Sequence, residues 1–146
     1  SMGVDRQGRL YVVCYTEGTD EIPAVYIAYS DDRGKSFSEK RKLNVSKNTF
    51  PDHPQIAVDP EGRIVVVWEE QAPVKRDVVM SVSMDRGATF TAPHKVNEKK
   101  SQTPVVAVNS QGLFALAWME HGMPGHKIVM QTVKVPSVKV AAETVR

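Results

Sequence analysis

The sequence predicts an all-β chain built from three repeats of a four-stranded antiparallel sheet, and three observations carry that reading. The segment Val4-Asp5-Arg6-Gln7-Gly8-Arg9-Leu10-Tyr11-Val12-Val13 recurs from Val58 to Val67 and again from Val108 to Ala117, at spacings of 54 and 50 residues. A second segment, Ser30-Asp31-Asp32-Arg33-Gly34-Lys35-Ser36-Phe37, recurs 53 residues later as Ser83-Met84-Asp85-Arg86-Gly87-Ala88-Thr89-Phe90. No stretch shows sustained helical periodicity, while short apolar runs bounded by Gly, Asn, Asp and Ser appear throughout. A fixed period of about 50 residues marks a repeat architecture in which each unit covers its neighbour.

Each copy of the first segment reads as a strand end, a tight turn with Asp or Asn followed by a Gly suited to positive φ, and an apolar strand, which together make a hairpin. Extending this pattern predicts strands near Gly3 to Val4, Leu10 to Thr16, Val25 to Tyr29 and Ser36 to Leu43 in the first repeat. The second has Pro54 to Val58, Arg63 to Glu70, Asp77 to Ser83 and Thr89 to Val96. The third has Pro104 to Val108, Leu113 to Glu120, Lys127 to Val133 and Val138 to Thr144. Pro54 and Pro104 stand at strand starts, where a missing N–H is tolerated. The units fall at about 1–45, 52–97 and 102–146, within a single domain.

Composition narrows the classes of partner. Nineteen basic and 17 acidic residues give a net charge of +2, spread along the chain, so no field draws in nucleic acid or an anionic membrane. Apolar runs such as Ile64 to Trp68 fall far short of the roughly 20 residues of a spanning helix. The pairs Lys40-Arg41 and Lys99-Lys100 lack interleaved aromatics, and Gly-rich phosphate loops are absent. Cys14 is the only cysteine, which excludes an intrachain disulfide and a Cys-based metal cluster; within the strand Leu10 to Tyr15 it reads as a buried, inert thiol. Ser1-Met2 reads as the scar of a removed tag. Asn44-Val45-Ser46 fits a glycosylation acceptor by chance.

The second segment resembles the Asp-box, or bacterial neuraminidase repeat, Ser-x-Asp-x-Gly-x-Ser/Thr-aromatic. Ser30, Asp32, Gly34, Ser36 and Phe37 match it, as do Ser83, Asp85, Gly87, Thr89 and Phe90. The resemblance implies a sialidase-like β-propeller, with each repeat a blade and the box on the turn between its third and fourth strands, away from the ligand face. Asp32 and Asp85 are then structural, since one carboxylate per turn lacks the converging ligands of a cation site. The third repeat departs from the pattern, with Val133-Lys134-Val135-Pro136 where a box would stand. Three blades are half of a six-bladed ring and leave two sheet faces open. A homodimer completing the ring is the expected remedy, and a fragment of a longer chain is its rival.

The opposite face, formed by loops Glu17 to Pro23, Ser46 to His53, Gln71 to Arg76, Glu98 to Thr103 and His121 to His126, holds the candidate ligand-binding residues. These are Glu70, Glu120, Glu17, His53, His121, His126 and Arg76. Trp68 and Trp118 align in the repeat, which places Glu70 and Glu120 in equivalent positions; the acids read either as a ring for glycosidase-type chemistry or as solvated loop residues. The histidine spacing matches no metal motif, and no cofactor or metal is expected.

A sialidase would need three arginines gripping a carboxylate, a tyrosine with a glutamate partner and an acid-base aspartate. That set is not identifiable, and the family's Arg-Ile-Pro segment is missing: Glu21 precedes Ile22-Pro23. The leading expectation is a non-catalytic propeller that binds a glycan or a protein surface or serves in assembly. The alternative is a glycoside hydrolase or lyase with a site across the dimer axis from Glu70, Glu120, His53 and His121. The resemblance also favours an extracytoplasmic location.

Overall fold

The computed structural model describes residues 1–16 and 22–137. Strands and turns, with no helix, make up the described residues. The first sheet holds β1 (Met2–Val4), β2 (Leu10–Thr16), β3 (Ala24–Ser30) and β4 (Arg41–Lys42). The second holds β5 (Phe50–Val58), β6 (Ile64–Ala72), β7 (Lys75–Ser83) and β8 (His94–Lys95), and the third β9 (Ser101–Val108), β10 (Leu113–Glu120) and β11 (Lys127–Lys134). All pairings are antiparallel between sequence neighbours, so each sheet is a meander.

The sheets stack face to face, and the strand patterns dictate it. On β6 every residue from Ile64 to Glu70 is buried, because side chains alternate between two covered faces. Ile64, Val66 and Trp68 join Tyr11, Val13, Val25 and Ile27 in the core between the first and second sheets. Val65, Val67, Val78 and Met80 join Phe114, Leu116 and Trp118 in the core between the second and third. On β10 burial alternates strictly, since among the described residues only one face of the third sheet is covered.

Each hairpin is held by the same device. The Oδ1 atoms of Asp5, Asp59 and Asn109 accept the main-chain N–H groups two and four residues on, at 2.8–3.1 Å. Gly8, Gly62 and Gly112 close these turns at φ of 76–87°. The turns after β3 and β7 are also twins. Asp32 accepts from Ser36 N–H and hydroxyl at 2.9 and 2.5 Å and from the Ser30 hydroxyl at 2.8 Å. Asp85 accepts from Thr89 at 2.8 and 2.5 Å and from Ser83 at 2.9 Å. The Ser36 hydroxyl and N–H, with the Ser30 hydroxyl, draw the Asp32 carboxyl down to about 2.

Two expectations need correction here. The outer strands β4 and β8 shrink to two residues each, because side chains take over part of the ladder: Ser38 Oγ accepts Tyr29 N, and Thr91 Oγ1 accepts Val82 N. The Cys14 thiol is exposed, not buried; it pairs with Tyr26 on the face of the first sheet that no described sheet covers. The expected strand Val138 to Thr144 lies outside the described residues, and the third sheet has three strands within them. Asn44, for its part, is buried with Oδ1 accepting Val25 N at 2.9 Å, as Asn97 accepts Val78 N at 2.7 Å, so the side chain is a structural brace.

The first and second sheets are tied by a charged clamp. Arg86, on the turn after β7, places Nη2 2.7 Å and Nε 2.8 Å from Oδ2 of Asp5, whose side chain is almost fully buried. The same oxygen accepts the Tyr11 hydroxyl at 3.1 Å. Asp5→Ala leaves Arg86 and two turn N–H groups without their acceptor and the Tyr11 hydroxyl with only the Arg86 carbonyl at 3.4 Å, and is expected to lower stability by about 2–4 kcal/mol in urea unfolding. A loss below about 0.5 kcal/mol would contradict the clamp.

Candidate functional site

The face opposite the Ser-x-Asp turns gathers most of the candidate residues, and the alternation of β6 sorts them. Glu69 and Glu70, adjacent in sequence, point to opposite sides. Glu70 lies at the junction of the first and second sheets, where Oε1 accepts Trp68 Nε1 at 2.8 Å and Oε2 accepts the Thr49 hydroxyl. Both of its oxygens are thus engaged by the protein itself. Glu69 enters the junction of the second and third sheets and is 1% exposed; within the expected strand Arg63 to Glu70 nothing in the sequence singled it out from its neighbour.

Around Glu69 the chain builds a polar network. Its Oε1 accepts Thr103 N and lies 3.4 Å from His53 Nδ1; its Oε2 lies 3.5 Å from Gln71 Nε2 and 3.9 Å from Arg76 Nε. Arg76 also donates to Gln71 Oε1 at 3.0 Å and to Gln102 Oε1. Asp52 accepts from Gln71 at 3.3 Å and lies 3.2 Å from His53 Nδ1. Two bulges put these groups in place. β5 and β9 each break register just before a proline, and the pre-proline residues His53 and Thr103 adopt φ of 48° and 52°. Segments expected to be loops are therefore strand: Phe50–His53 belongs to β5, Ser101–Thr103 to β9, and Arg76 to β7 in a hairpin closed by Ala72 and Lys75.

Glu120 ends β10 on the face turned toward the second sheet. It is 7% exposed, with Lys127 Nζ at 3.2 Å and Lys99 Nζ at 3.9 Å. These three line a cleft of about 490 Å³ with His126 and the segment 122–125. His126 meets His121 edge to face at 4.5 Å. Among the described residues, His121 Nε2 and Trp118 Nε1 are buried polar atoms without a hydrogen-bond partner. Burial, then the fields of His126, Lys100 and Arg76, hold the His121 imidazole below its ordinary 6.5, with Glu69 opposing them.

Arg76, His53, Glu120, His121 and His126 thus gather at one junction, while Glu70 belongs to the next. Glu70 and Glu120 are both buried and each is matched by donors, so neither is a solvated loop acid. Glu17 lies outside the described residues. Among the described residues no group of three His, Cys, Asp or Glu side chains could hold a metal ion.

No protein-family model matches this sequence, and neither does any curated protein. Its fold is shared with solved structures. A Hadza microbial sialidase, Hz136, superposes at a TM-score of 0.71 and 13% identity over 92% of this chain and 34% of that one. An endo-arabinase from Bacteroides thetaiotaomicron gives 0.61 and 13% over 93% and 55%. A fucose lectin from Kordia zhangzhouensis, in complex with methyl-fucoside, gives 0.56 and 9% over 90% and 92%. The chain therefore spans about a third of that sialidase and about half of that arabinase, and nearly the whole of the lectin.

Because its folded pKa is lowered, His121 binds its proton less readily in the folded than in the unfolded chain. As pH falls through 6.5 the unfolded state protonates first, and this residue's contribution to stability falls until the folded pKa is passed. An NMR titration should place the His121 midpoint below 6.5, moving upward in His126→Ala; a midpoint above 6.5 would contradict the packing described.

Proposed function

We propose that this chain is a sialidase-like propeller half that binds a glycan without turning it over, at the junction of its second and third blades. One comparison between repeats carries the reading. In the second blade an indole N–H and a hydroxyl, from Trp68 and Thr49, close on the carboxylate of Glu70. In the third, the equivalent Trp118 N–H is unpartnered and the equivalent Glu120 borders the open cleft with Lys99, Lys127 and His126. A sugar supplies hydroxyls that both donate and accept, and so matches a carboxylate flanked by two ammonium groups at the edge of a cleft.

The fold neighbours support the same class of ligand, since their names give a sialidase, an arabinase and a fucose lectin, the last a chain that this one nearly spans. The Asp-box turns stay on the far side as staples, with Asp32 and Asp85 occupied by their own loops. The exposed Met2, Val4, Val105, Ile128 and Met130 on the two end blades support closure of a six-bladed ring by a second copy.

A glycan array probed with the purified chain, followed by calorimetry on its best sugar, tests the proposal. Glu120→Gln and Lys127→Met, both at the cleft and close in volume to the original side chains, should each weaken binding by about tenfold, the worth of one well-made hydrogen bond of about 1.4 kcal/mol. Unchanged affinity in both variants would sink this site. A second reading, a hydrolase or lyase, rests on His121, whose imidazole is held below its ordinary 6.5 by burial and neighbouring cations and whose Nε2 has no hydrogen-bond partner. Release of product from the bound sugar, lost in His121→Ala, would establish that reading instead.

A further inference from the structure

We infer that the open face of the first blade docks on the third blade of a second copy through Arg33 and Phe37, with the Asn109 hairpin as their receptor. The inference rests on the half-ring reading and deepens it by naming the contact.

At the junction of the first and second blades, the turn after β7 supplies two side chains to the blade before it. Arg86 clamps Asp5 in that blade's hairpin, and Phe90 packs against the shared core beside Tyr11 and Ile64. The turn after β3 carries the same two residues at the same positions, Arg33 and Phe37. Its backbone is set the same way, with φ of 64° at Arg33 against 59° at Arg86. No described sheet covers the face in front of it. Arg33 is exposed and makes no hydrogen bond or ion pair to another described residue, and Phe37 is 49% exposed where its twin is partly buried.

An Arg33 clamp needs a hairpin of the Asp5 type on an open blade end. Among the described residues the Asp5 hairpin is taken by Arg86 and Asp59 is fully buried with Arg63 against it, which leaves the exposed Asn109 hairpin to receive. The sheet behind it offers the matching apolar surface, Val105, Ile128 and Met130, to Met2 and Val4 of the first blade. Asn109 uses Oδ1 within its own turn, as Asp5 does, but presents an amide where Asp5 presents a second carboxylate oxygen. Arg33 is then left with hairpin carbonyls. The contact between copies is for that reason weaker than the one within the chain, and the association is reversible.

The test is the molar mass of the full chain by light scattering across a dilution series, with maleimide labelling of Cys14, which lies on the face to be covered. The wild type should pass from 16.2 kDa to twice that mass as concentration rises, and the Cys14 labelling rate should fall in step. Asn109→Asp, which gives Arg33 its carboxylate, should tighten the dimer about tenfold; Arg33→Gln should weaken it and abolish that gain when the two are combined. A monomer at every concentration would overturn the half-ring reading and the docking together. A dimer indifferent to both substitutions, or one in which Cys14 labels as fast as in the monomer, would overturn the docking contact and leave the half-ring reading standing.

Discussion

Everything in this molecule depends on a sheet being covered on both faces. The second sheet meets that condition, and the run of seven buried residues on β6 is its signature. Each Val, Ile or Trp taken out of water there stabilises the stack by roughly 1.5–3 kcal/mol before entropy is counted. Face-to-face stacking fixes where each strand ends, and the ends of β6 and β10 are where Glu69, Glu70 and Glu120 emerge into the polar rim.

Two kinds of interaction keep the stack in register. Within a sheet, Asp and Asn side chains rebuild the hydrogen bonds that the turns would otherwise lose, which is why the hairpins look alike in all three repeats. Between sheets, the Asp5–Arg86 clamp fixes the first against the second. At the next junction Arg63 turns back on Asp59 and reaches the main chain of Val135, because the third repeat has no arginine-bearing turn to offer. The same scaffold therefore presents two rims of different character. One is closed by its own threonine; the other leaves an indole N–H unpartnered and borders an open cleft.

The hairpins and the repeat were legible from the sequence because they depend on local chemistry: Gly at positive φ, Asp over a turn, alternating apolar residues. Long-range packing was not. Glu69 hid beside Glu70, since nothing local tells which of two neighbouring acids faces which covered junction. Phe50–His53 and Ser101–Thr103 read as loops through their prolines and polar residues, yet they are edge strands with bulges, where Pro is tolerated. The expectation for Cys14 failed for a related reason: alternation shows that a face is apolar, not that a neighbour covers it.

The proposed ligand site lies at the rim of the second and third sheets, while the opposite turns are occupied by hydrogen bonds of their own loops. Mapping backbone amide shifts by NMR during titration with the best-bound oligosaccharide tests it most directly. Shifts should concentrate at residues 99–103 and 118–127 and leave residues 30–37 and 83–90 unmoved. Shifts centred on those two turns, with the rim silent, would contradict it.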